Sequence, residues 1–164
     1  MTTTLVLGIG NTLLSDEGAG IHTLDYLQRH YPRVAGIRYL DGGTLSFTLA
    51  ADIEAADNLI VVDAAQLNAP PGSVRSFVGA DMDQFVSTGK RSVHEVGLSD
   101  LLGMALLQAC LPRQRALVGI QPGSLEWGDA PTPTIAAAIP GAAAEVWSLI
   151  CDWHPGATGE VQES

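Results

Sequence analysis

Two carboxylates and an imidazole, Glu17, Asp63 and His94, are the side chains of this sequence whose types and positions could do chemistry together. Each falls where an element should begin or end. Glu17 follows an apolar run, Leu5-Val6-Leu7, and a turn of small residues, Gly8-Ile9-Gly10-Asn11; it lies in Ser15-Asp16-Glu17-Gly18, a cap-type stretch that opens a helix. Asp63 terminates the β-branched run Leu59-Ile60-Val61-Val62, and His94 stands in Ser92-Val93-His94-Glu95, which has capping-box spacing. If the strands are parallel neighbours, all three residues face the carboxyl edge of the sheet, where open α/β sheets hold their ligands. An O,O,N set with room for water or an outside ligand suits zinc, nickel, iron or manganese, and ligand type alone does not choose among them. The helix dipole is expected to hold Glu17 ionised, available as ligand or base. Taken singly, each residue also has a plainer role: a helix-start acid, a turn-former at a strand end, and an exposed helix-start histidine.

The elements that must position these residues follow in order. Strands are expected at Thr3–Leu7, Val34–Leu40, Leu59–Val62, Ser73–Val78 and Ala116–Ile120, the fourth being shorter and at an edge. Helices are expected at Asp16–Arg29, at Leu45–Ala55, from Ser92 to before Pro112, and at Thr134–Trp153, the last kinked or broken at Pro140-Gly141. Asp81–Arg91 is mostly polar and has no assigned element. Strands alternating with helices predict an α/β fold, a three-layer, twisted, mostly parallel five-stranded sheet with helices on both faces. One domain, 1–153, accounts for the chain, with 154–164 expected as a disordered tail.

Composition narrows the partners. With 46% hydrophobic and 16% charged residues the chain is globular, and its formal net charge of −10 with no Lys/Arg cluster argues against nucleic acid and anionic membranes. No apolar run reads as membrane-spanning and no basic leader is seen, so no membrane insertion and a cytoplasmic location are expected. Cys110 and Cys151 form no CxxC pair and are expected as buried thiols in helices, in a reducing compartment. Gly8-Ile9-Gly10 starts like a dinucleotide fingerprint, but Leu13 stands where its third glycine would be. There is no Walker lysine and no GxSxG elbow, and neither cysteine has a nucleophile's context.

The chain resembles the hydrogenase maturation endopeptidases, which process the large subunit of nickel–iron hydrogenases. The resemblance rests on LVLGIGNTLLSDEGAGI (5–21), DGGT (41–44), LIVVDA (59–64), HEVGLSDLL (94–102) and LVGIQPGSLEWG (117–128), in family order and over almost the whole chain. HEVGLSDLL and Gln121-Pro122 are similar to the branch serving membrane-bound uptake hydrogenases. The resemblance implies an aspartyl-type endopeptidase that removes a C-terminal peptide from a nickel-loaded precursor. The nickel is supplied by the substrate and bound by Glu17, Asp63 and His94, with no organic cofactor. It further implies Asp41 as an acid important for cleavage, on a glycine loop with Gly42 and Gly43. Asp41 also reads as a turn-former before two glycines. The expected partner is the large-subunit precursor and the expected state a monomer. Two other readings use the same ligands: a non-catalytic chaperone that senses nickel in the precursor, and a self-sufficient zinc hydrolase with an open position. A nucleotide-binding domain comes last.

Overall fold

The computed structural model describes residues 2–44, 46–88 and 97–157. Five strands, β1 (Thr4–Gly8), β2 (Ile37–Asp41), β3 (Asn58–Ala64), β4 (Val74–Val78) and β5 (Gln114–Ile120), form one sheet in the order β2-β1-β3-β5-β4. β1, β2, β3 and β5 are parallel, and β4 lies antiparallel on β5. The reversal has a local cause: the 65–73 connection is too short to carry a crossover back to the sheet's far edge, so the chain turns round instead. The short edge strand expected from the sequence is this β4.

Alternation along the strands sorts two cores. Leu5, Leu7, Leu59, Val61 and Leu117 face α2 (Ala50–Ala55), α3 (Ala80–Ser87) and α4 (Leu98–Leu107). Val6, Ile60, Val62, Val118 and Ile120 face α1 (Ala19–His30) and α5 (Pro133–Trp153). β1 and β3 are buried on both faces along their full length, which is why they read as unbroken apolar runs. The expected three-layer α/β fold is the observed one.

Several boundaries differ from expectation. Residues 15–18 form a 3₁₀ turn ahead of α1, whose N-cap is Gly18. The second helix likewise starts with a 3₁₀ turn, Phe47–Leu49, ahead of α2. The unassigned polar stretch contains α3, which turns Met82 and Val86 inward at helical spacing among exposed acids. α4 begins at Leu98, where the Asp100 side chain reaches back to accept from Gly97 N at 3.0 Å. The Ser92–Glu95 capping box, and His94 with it, lies outside the described residues.

α5 runs unbroken through Pro140, at an exposed position on the helix. It is also long and apolar enough to cross a membrane by length and composition, contrary to the sequence expectation. Its apolarity arises from alanines outside plus a buried stripe, Ile135, Ile139, Ala142, Val146 and Ile150, laid against α1 and the sheet. Past Trp153, His154 Nε2 stands 2.5 Å from Thr4 Oγ1, and Ala157 is fully buried; 158–164 lie outside the described residues. Cys110 is exposed just beyond α4 and Cys151 half-buried in α5, so neither is the fully buried helical thiol expected.

Candidate functional site

The sheet order creates a crevice. From β1 the chain leaves through α1 to β2 on one side, then returns through α2 to β3 on the other. The carboxyl ends of β1 and β3 are therefore a topological switch point, where the connections diverge and leave room for a ligand. Gly8, the last residue of β1, pairs with Asp41 of β2 on one side and Val62 of β3 on the other. Asp41 and Asp63 thus flank the end of β1, their strands roughly 10 Å apart across it. Asp63 is 1% exposed and Asp41 is open to solvent.

The turn bearing Glu17 packs back against the chain leaving β1, which is folded tightly on small residues. Gly10, with φ +144°, carries no Cβ to strike the Glu17 carbonyl, which would lie 2.0 Å from it. Gly10 N also donates to Gly43 O at 2.8 Å, and Gly42 N to Gly8 O at 2.8 Å, so the glycine loop after β2 is stitched to the loop after β1. A shallow depression of about 330 Å³ lies between them, lined by Asn11, Thr12, Leu13, Ile21, Asp41 and Thr44 with the loop glycines.

The turn bearing Glu17 is pinned by its neighbour. Asp16 is fully buried. Its Oδ2 accepts from Gly123 N at 2.9 Å and Ser124 N at 2.8 Å, its Oδ1 from Thr132 N at 2.7 Å, and the Thr132 hydroxyl lies 3.0 Å from both oxygens. Burial alone would raise the Asp16 pKa; the hydrogen bonds from Thr132, Ser124 and Gly123 outweigh it and hold the carboxyl below its usual value. Ser15 takes a left-handed backbone, φ +49°, uncommon for a residue with a side chain. It is held there by Ser15 N to Gly128 O at 2.9 Å and Ser15 Oγ to Glu126 O at 2.7 Å.

Glu17 differs from expectation in its electrostatics. It sits before the N-cap of α1 rather than in the helix's first turn, and burial raises its pKa. Desolvation works against its charge, opposite to the pull expected from the dipole, and a cation placed beside it would reverse that balance. Asp41 Oδ1 accepts from Gly43 N at 2.8 Å, an Asx turn that shapes the glycine loop. Gly43 has φ +52°, whereas Gly42 is small because a Cβ would lie 2.9 Å from Leu7 Cδ1.

Of the residues singled out from the sequence, the structure brings Glu17, Asp41 and Asp63 to one edge with Gly42 and Gly43. His94 lies outside the described residues. Among the described residues no three His, Cys, Asp or Glu side chains form a metal-holding group. Sequence reasoning missed Asp16, counted only as one of two first-turn acids, and Gln121, a buried amide whose Oε1 accepts from Leu67 N at 2.6 Å and so ties the exits of β3 and β5 together. Little local marks either residue, since the bonds that tie them into the fold run to Leu67, 54 positions from Gln121, and to Gly123, Ser124 and Thr132, 107 to 116 positions from Asp16.

Residues 21–149 match the HycI family model, described as hydrogenase maturation protease; the matched span contains Asp41, Asp63 and His94. The "Hydrogenase expression/formation protein HupD" of Thiocapsa roseopersicina is 36% identical over 122 residues, 74% of this chain. The chain spans little more than half of that relative, 55% of its length. The "Hydrogenase 2 maturation protease" of Escherichia coli strain K12 is 36% identical over 148 residues, 89% of each chain. Among solved structures, the hydrogenase maturating endopeptidase HybD from E. coli superposes with a TM-score of 0.87 at 32% identity, over 93% of this chain and 94% of that one.

Proposed function

The chain belongs to the hydrogenase maturation protease family, and on that premise we propose that it is an endopeptidase that removes the C-terminal peptide from the nickel-loaded precursor of a nickel–iron hydrogenase large subunit. What supports this reading is that Asp41 and Asp63 stand at the ends of the strands on either side of β1, with the turn bearing Glu17 following β1. Two carboxylate ligands at one crevice offer hard oxygen donors, and His94 adds an imidazole. The precursor's nickel brings its own thiolates, so soft and hard ligands share one metal across the interface. A precursor without nickel then lacks its anchor. The resemblance of HEVGLSDLL and Gln121-Pro122 to the branch serving membrane-bound uptake hydrogenases assigns the substrate to that type.

In this reading Glu17, Asp63 and His94 fix the end of the precursor through its metal and align the scissile peptide. Asp41 orders the glycine loop through its Asx turn and is the acid that assists the attacking water. The sequence has no GxSxG elbow and neither cysteine has a nucleophile's context, which favours water as the nucleophile. The desolvated Glu17 is suited to a cationic ligand, because the charge it brings would restore what burial removes. The protein acts in the cytoplasm as a monomer.

The test is a cleavage assay read by intact mass. Purified protein is mixed with a large-subunit precursor, nickel-loaded in one tube and nickel-free in the other. Loss of a C-terminal peptide from the loaded form alone is the expected result. Cleavage of both keeps the protease and removes the metal checkpoint; stable binding without cleavage makes the chain a nickel-sensing chaperone.

A further inference from the structure

The loop after β5 presents an apolar surface that the metal ligands and the Asp41 loop do not use. Trp127 is 80% exposed, Leu13 56% and Leu125 55%. They belong to one construction although they lie more than a hundred residues apart in sequence. Leu14 and Gly128 form a parallel bridge, with Gly128 N donating to Leu13 O at 2.9 Å and Ser15 N to Gly128 O at 2.9 Å. Leu13 and Trp127 directly precede the two bridged residues, so the bridge sets their backbones beside each other. The platform is rigid below: Ser15 Oγ holds Glu126 O, Asp16 N donates to Ser124 O at 3.1 Å, and the buried Asp16 carboxylate grips Gly123, Ser124 and Thr132.

The platform is continuous with the candidate site, because Leu13 also lines the depression that contains Asp41. Its charge is one-sided. The sequence has no Lys or Arg in residues 1–28 or in 116–164, and Glu126 and Asp129 flank Trp127. Among the described residues Arg29 and Arg33 lie in the last turn of α1 and just beyond it, and Arg38, Arg113 and Arg115 at the starts of β2 and β5, near the opposite ends of the strands. Arg75 lies over the Phe77 ring on the edge strand. A large exposed aromatic beside aliphatic neighbours on a preformed base is the composition of a binding anchor rather than of ordinary surface.

We propose that Leu13, Leu125 and Trp127 form the platform on which the hydrogenase large-subunit precursor docks, taking an apolar segment of that protein flanked by Lys or Arg. The proposal rests on the endopeptidase reading for the identity of the partner. Trp127 enters an apolar recess of the precursor, while Glu126 and Asp129 meet the basic flank and steer the encounter. The segment to be cut then crosses the depression between Leu13 and Asp41.

The experiment uses the full chain and a nickel-loaded large-subunit precursor, with both binding to immobilised protein and cleavage measured. Trp127→Ala should raise KM and Kd about tenfold or more while leaving kcat within about twofold. Glu126→Lys should slow association and flatten its dependence on salt, without disturbing the backbone bond to Ser15. Leu107→Ala, at a position 86% exposed on the distant end of α4, should change nothing. Wild-type affinity in Trp127→Ala, or a Leu107→Ala effect as large, overturns the platform. If the wild type binds without cutting, the endopeptidase reading fails while the Kd values still decide the platform. A wild type that neither binds nor cuts overturns both.

Discussion

Gly20 of α1 lies against the end of β3 so closely that a Cβ at that position would stand 2.2 Å from Val62 O and 2.5 Å from Ile9 O. These are backbone atoms of central elements and cannot swing aside. Gly20→Ala is expected to push α1 off the crevice and to destabilise the fold by about 3 kcal/mol, the upper end for overpacking. Urea denaturation checks it; an unchanged midpoint would mean that the helix and the strand ends are free to shift.

Asp16→Asn keeps the size of the side chain but removes its charge and replaces one acceptor oxygen with a donor facing other donors. The cost expected is about 1–3 kcal/mol. The amides of Gly123, Ser124 and Thr132 should exchange faster with solvent in the variant. Retained protection at these three positions would show that the loop is held by other means.

The ion pair between Asp83 and Arg115 sets an acid limb. Arg115 Nε donates to Asp83 Oδ1 at 2.8 Å and its Nη2 to Oδ2 at 2.5 Å. The hydrogen bond from Arg115 and, less, its charge hold the Asp83 pKa down, outweighing a partial desolvation. A carboxyl lowered in the folded state stabilises above its unfolded pKa of about 3.9, and that contribution is lost as pH falls through the folded value. Between pH 6 and pH 3 the wild type should lose more stability than Asp83→Asn. Parallel curves for the two proteins would remove the pair from the acid response.

Glu17→Gln should abolish processing of a nickel-loaded precursor while leaving the thermal midpoint within a few degrees, because Glu17 belongs to neither apolar core, and His94→Ala should abolish processing likewise. Normal cleavage by either variant would remove that residue from the anchor.

The two loop glycines should fail differently. At Gly43, φ is +52° and a Cβ would meet nothing within 4 Å, so Gly43→Val pays only for backbone conformation, about 1–2 kcal/mol, borne by the Asp41 loop. Gly42→Val instead drives a side chain towards Leu7 and Leu49 in the core. Cleavage should slow in both, with the melting point falling more in Gly42→Val. Equal melting points and unchanged rates would take the loop out of the mechanism.

The parts of this protein legible in the sequence are those whose cause is local. Buried parallel strands announce themselves as Leu5-Val6-Leu7 and Leu59–Val62, and the acids that follow them mark the carboxyl edge. α3 was not legible, because only Met82 and Val86 are buried and the polar residues around them, Asp81, Asp83 and Gln84, hide the period. Nor was the raised pKa of Glu17, which depends on how far the folded chain buries it. The dipole argument failed at Glu17 because the 3₁₀ turn moves the start of α1 two residues beyond it. Leu13 and Trp127 could not be paired in advance, since only the bridge at Leu14 and Gly128 places them together.

The grip of Asp16 on Gly123, Ser124 and Thr132 has a consequence for biosynthesis. Its partners lie 107 to 116 residues downstream. At roughly 5–20 residues per second, a ribosome makes them about 5–20 s after the acid itself. The strands β2, β1 and β3 are complete by residue 64 and can pair meanwhile, but the turn carrying Glu17 stays untethered until β5 and the loop after it have been synthesised. A nascent chain therefore owns its scaffold well before it owns a formed crevice, and a chain cut short before Gly123 would fold its first half without becoming competent.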